Sequence, residues 1–208
     1  MLKLFLILLL SVSTLPGQYK REAAGAPPAE LAASIQSLMA KDGHKILAPD
    51  GKVYCEVWFV IKPPVGPLTS ENDVTWKTTP PGAVIGAIRW PGPGSDRRGQ
   101  GLKPGVYTLR FSMFPVNGDH QGVAPQRDFL LMTPAAEDKD AAAVSVFDDL
   151  VAMSRKSSGT PHPAVLSMWK VEGDFTAGLA PLGETDWVLN VKIGDVPIAL
   201  ILVGKTEG

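Results

Sequence analysis

Apolar and polar side chains alternate one by one through residues 105–113. Tyr107, Leu109, Phe111 and Met113 share one face, with Thr108, Arg110 and Ser112 on the other. That period of two predicts a half-buried β-strand. Further strand-like runs cover 45–48 and 52–61, joined by Pro49-Asp50-Gly51, then 73–77, 83–90, 128–133 and 164–170. Residues 186–193 and 196–203 close the chain as a hairpin across Gly194-Asp195, since Gly, Pro and Asp supply the φ values that tight turns require. Both faces of the last run are apolar: Val196, Ile198, Leu200 and Leu202 alternate with Ala199, Ile201 and Val203. Such a strand belongs inside a sheet or beneath a helix; at a free edge it would be an aggregation hazard or a subunit contact.

Helical spacing occurs twice. Leu31, Ile35, Leu38 and Met39 predict a helix over 30–41, ended by Gly43; Phe147, Leu150, Val151 and Ser154 predict the inner side of another, from an N-cap at Ser145 to about Lys156, stopped at Gly159. Residues 134–143, with Glu137-Asp138-Lys139-Asp140, read as a solvated linker, and 173–183 as an irregular connection. Eight to ten strands with two short peripheral helices and no βαβ rhythm fit a mostly β chain, an antiparallel β-sandwich or jelly roll. Helices before and between the strands make α+β the alternative.

The 19 prolines and 21 glycines among 208 residues fall between the apolar runs, which is the punctuation of many short strands. Residues 30–208 are expected to form a single domain. Residues 1–17 read as a secretory signal peptide: Lys3 precedes an apolar stretch at 4–10, too short for a spanning helix. The expectation is an exported protein, periplasmic or extracellular, with no transmembrane segment beyond that signal. Residues 18–29, polar and rich in Ala and Pro, read as a flexible tether. The only cysteine, Cys55, shares a face with Val53, Val57, Phe59 and Ile61, so a buried, inert thiol is expected. With a net charge of −1 and interspersed signs, nothing points to nucleic acid.

Candidate chemistry is sparse. His44, His120 and His162 are the only imidazoles, and no two stand at the short spacings that aim a pair of ligands at one metal ion. A set drawn from distant loops, His120, Asp119 and His162, is the alternative that would make the protein a metal-dependent enzyme. No Gly-x-Ser-x-Gly elbow or phosphate loop occurs, and Asp148-Asp149 fits a helix start, where acids favour the dipole. No motif calls for a cofactor. These observations weigh against catalysis and leave a recognition surface: His120, Asp119, Arg127 and Asp128 on the loop after the first-described strand, joined by His162 from residues 160–163. Arg97 and Arg98 precede that strand and should lie about 30 Å from His120 at a rise of about 3.4 Å per residue. Of the five tryptophans, Trp187 is expected in the core and Trp58 is the one placed for exposure.

Leu102-Lys103-Pro104-Gly105-Val106-Tyr107-Thr108-Leu109 resembles an L-x-P-G-x-Y-x-L hairpin motif that recurs in exported bacterial β-sandwich proteins of unknown function. The resemblance spans about a dozen residues. It implies a sandwich fold and a bacterial envelope setting, with no catalytic residues to carry over. The leading expectation is a non-catalytic binding module for an envelope protein or a carbohydrate. A structural subunit associating through its C-terminal strand is a further alternative.

Overall fold

The computed structural model describes residues 18–114, 127–142, 144 and 146–206. The strand patterns assemble into two antiparallel sheets that share a core. In chain order, β1 (Lys20–Ala23), β2 (His44–Leu47), β3 (Val53–Phe59) and β4 (Val84–Trp90) are followed by a small pair, β5 (Gly94–Ser95) and β6 (Gly101–Leu102). Next come β7 (Gly105–Met113), β8 (Asp128–Pro134) and β9 (Val165–Leu166), completing a 7-stranded sheet of order β1-β2-β3-β4-β7-β8-β9. The second, 4-stranded sheet has the order β10-β13-β12-β11, built from β10 (Met168–Lys170), β11 (Gly178–Leu182), β12 (Asp186–Ile193) and β13 (Val196–Val203). One strand path joins them. It pairs with β8 through Val165 and Leu166, breaks at Ser167, and pairs with β13 from Met168 onward.

Ile46, Val57, Ile88, Leu109 and Leu130 from the large sheet meet Leu189, Ile198 and Leu200 from the small one in a single buried cluster. Each such side chain contributes about 1.5–3 kcal/mol by leaving water. Tyr107, Leu109 and Phe111 are buried on that inner face, as their alternation predicts. β13 lies between β10 and β12; Ile198, Leu200 and Leu202 on one face join the shared core, and Ala199 and Ile201 on the other pack with Val188, Trp169 and Val171, which accounts for its two apolar faces. Cys55 is fully buried, and desolvation pushes its thiol far above the ordinary range.

The opposite face of β7 departs from the half-buried expectation. Thr108, Arg110 and Ser112 are 0%, 0% and 1% exposed, and residues 134–142 fold back over the first two. Asp138, expected in a solvated linker, is buried and accepts from Arg110 Nε and Nη2 at 2.7 Å each and from the Thr108 hydroxyl. Arg110 Nη1 donates to Gly82 O at 2.5 Å and Ala142 O at 2.9 Å, and Nη2 also donates to Asp140 O. All five guanidinium N–H groups are thus satisfied, the condition under which a charge can sit in a core.

Helix α2 (Phe147–Ser158) covers the same face of β8, packing Leu150 and Val151 on Phe129, Leu131 and Val165. It ends at Gly159 with φ of 65°, as predicted. Ser145 lies outside the described residues, the N-cap position falls at Val146, and Phe147 is exposed instead of inward. The first helix is much shorter than expected: α1 spans Ala33–Gln36. Beyond it Ala40 N donates to Phe59 O instead of to a helical carbonyl, while Ile61 N donates to Leu38 O, so an extended pairing beside β3 takes those backbone groups.

Three further expectations change. Residues 18–29 are no tether, since β1 pairs in register with β2 from Lys20↔Leu47 to Ala23↔His44, and Gly25 O accepts from Trp58 Nε1 at 2.7 Å. Trp58 is accordingly buried, while Trp187 is half-buried beside Tyr19. Residues 73–77 form turns that still bury Val74 and Trp76, and 173–183 contains β11. Among the described residues no helix is long and apolar enough to cross a membrane.

Candidate functional site

β7 and β8 pair from Tyr107↔Pro134 to Met113↔Asp128, so their hairpin has two chemically distinct ends. Arg127 and Asp128 occupy one. Asp128 is 0% exposed, and its carboxylate accepts from Thr75 N and Thr75 Oγ1 at 2.6 Å each and from Trp76 N at 3.2 Å. It staples residues 73–77 to the sheet and has no face left for a ligand. Arg127 donates from Nε and Nη2 to Phe114 O at 2.9 and 2.6 Å and from Nη1 to Glu71 Oε2 at 2.6 Å. Asp119 and His120 lie outside the described residues.

His162 sits at the other end. β9 runs antiparallel to β8, with Val165 opposite Leu131 and Ala164 O accepting from Met132 N, so the preceding residues fall beside Pro134. Six strand steps separate Asp128 from Pro134, roughly 20 Å at about 3.4 Å per step. The expected grouping of His162 with Arg127 and Asp128 therefore does not form. The antiparallel return of the chain explains it.

At its own end the His162 loop meets the arginine loop. Buried Asp96 accepts from Arg98 N at 3.0 Å and Gln100 N at 2.8 Å through Oδ1, and from Gln100 Nε2 at 2.7 Å and Val165 N at 3.1 Å through Oδ2. Burial still holds its carboxyl above the usual range, outweighing these four bonds. Gln100 Nε2 also donates to Pro163 O at 2.9 Å, and its Oε1 accepts from the Thr160 hydroxyl. Ser158 Oγ donates to His162 O at 2.6 Å, fixing the loop while the His162 side chain faces solvent. Arg97 pairs with Asp186 at 2.8 Å. These contacts make a rigid frame.

Beside that frame opens a cleft of about 540 Å³. Lys103, Lys139 and Lys156 line it against a single acid, Glu30, with Tyr107 and Ser158 in its walls. The turn carrying Lys103 is held by the Tyr107 hydroxyl, which donates to Lys103 O at 2.7 Å. Lys139 Nζ donates to Ala135 O at 2.9 Å, and Lys156 pairs with Glu137 at 2.8 Å, about half exposed on both sides and hence weakly bound. The Lys103 side chain is exposed, and its ammonium makes no hydrogen bond or ion pair with any described residue. A cationic, water-accessible cleft on a rigid support is suited to holding an anion.

Sequence reasoning missed this cleft because its charges come from three separate segments, around residues 103, 139 and 156, and no local spacing reports them. The one available signal was an exposed lysine in the tight turn opening the best-patterned strand. Among the described residues, no three His, Cys, Asp or Glu side chains gather as metal ligands. Comparison with protein-family models, with curated proteins and with solved structures gives no match for the chain.

Proposed function

We propose that the protein is an exported, non-catalytic binding module that holds an acidic carbohydrate in the lysine-lined cleft. One observation carries the reading: three lysines against one acid converge on a cleft of about 540 Å³ in a chain whose net charge is −1. That volume lies within the range of about 300–1,000 Å³ for small-ligand sites, whereas a protein partner needs a footprint of about 800 Å² per side. Export rests on the signal-like pattern of residues 1–17, and the setting is then the cell envelope or beyond.

Calorimetric titration with uronic-acid and sulfated oligosaccharides, against neutral ones of equal length, tests it. Acidic sugars are expected to bind and neutral ones not, with affinity falling as salt rises. Lys103→Glu, at an exposed position, should weaken binding about tenfold without altering the melting temperature. Binding of acidic peptides in place of sugars would transfer the cleft to a protein partner. Absence of any acidic ligand would overturn the proposal.

A further inference from the structure

A second surface carries the opposite chemistry. Past β3 the chain turns outward, and Ile61 and Val65 are 55% and 79% exposed, with Leu38 beside Ile61 at 38%. Exposed apolar side chains that cluster in this way mark a contact surface, unlike scattered ones. Two cavities meet there. The first, about 440 Å³, is walled by Leu38, Val60, Pro64, Pro80 and Val84, and the single charged residue lining it is Lys62. The second, about 490 Å³, shares Ile61 and Lys62 with the first and extends to Val65, Trp76 and Val196. Lys170 also lines it, its Nζ 5.0 Å from the centre of the Trp76 ring, opposed by Asp195.

Charge selects the occupant. The first cavity, apolar with a cation as its only charged wall residue, suits a molecule with a long apolar part and one anionic end. Lys62 is exposed and makes no hydrogen bond or ion pair with a described residue, so its ammonium is available to that end. Each cavity has the volume of a small-molecule site and is too small for a partner helix about 10 Å across. We infer that this surface binds a single-chain amphipathic anion, a fatty-acid-like molecule with its chain in the first cavity and its carboxylate at Lys62. The site is separate from the lysine cleft, and neither reading depends on the other.

The test is calorimetric titration of the full chain with octanoate, decanoate and dodecanoate below micelle formation, with dodecanoate methyl ester and with vesicles of neutral and anionic phospholipid. Saturable binding at one site is expected, with affinity rising about fourfold per methylene, the equivalent of burying each one. The ester should bind about tenfold more weakly than dodecanoate. Lys62→Glu should remove that preference by weakening dodecanoate alone. Leu38→Asp should weaken both, and thermal melting checks that each variant remains folded. No saturable binding, binding untouched by both substitutions, or adsorption to anionic vesicles without uptake of monomeric dodecanoate would each overturn the inference.

Discussion

Arg110 shows how a charge is held in the middle of a β-sheet protein. Its guanidinium is fully buried and, among the described residues, depends on Asp138 for its counter-charge. Asp138→Ala should therefore cost about 3–5 kcal/mol, the penalty of an uncompensated buried cation, measured as a shift in the urea unfolding midpoint. Replacing Arg110, Asp138 and Thr108 together by apolar residues of similar volume should recover most of it. His44 makes a second residue-level prediction. Burial, and secondarily the positive charge of Arg21, lower its pKa to about 4 from an ordinary 6.5. The native state keeps this ring neutral where the unfolded chain already takes a proton. Stability is thus fully present above pH 6.5 and is lost as pH falls toward about 4. Urea midpoints across that interval should decline in the wild type and flatten in His44→Gln; parallel curves would exclude the histidine as the cause.

Among the elements, local pattern was sufficient where one strand or helix alone decides the outcome. The alternation in β7, the turn before β3 and the stop at Gly159 were all legible. It failed where a distant segment competes for the same groups. The helix predicted over 30–41 yields to backbone pairing with Phe59 and Ile61, and the linker at 134–142 is drawn inward by Arg110, a partner with no local signature. Two glycines separate these cases experimentally. Gly159, at φ of +65°, has open space where a Cβ would stand, so Gly159→Ala should cost only the left-handed strain of about 1–2 kcal/mol. Gly82, at φ of +78°, would drive its Cβ into the Val144 carbonyl, and its own carbonyl accepts from Arg110. Gly82→Ala should therefore destabilise clearly more than Gly159→Ala in the same denaturation assay; equal costs would show that Val144 does not press on the sheet.

For the whole molecule, the sandwich was readable because strand period and turn chemistry repeat along the chain, while its binding surfaces were not. Residues near in sequence to His120 invited a site around Arg127 and Asp128, yet Asp128 points into the core and His162 is carried to the far end of β8 by antiparallel pairing. Lys103, Lys139 and Lys156 meet only after residues 134–142 fold over β7 and α2 packs on β8. Amide chemical-shift mapping during titration with an acidic oligosaccharide tests that placement most directly. The account predicts shifts concentrated at residues 101–107, 135–139 and 156–159, with the amides of Glu71, Arg127 and Asp128 unmoved. Shifts centred on Arg127 and its neighbours, with the lysine cleft silent, would contradict it.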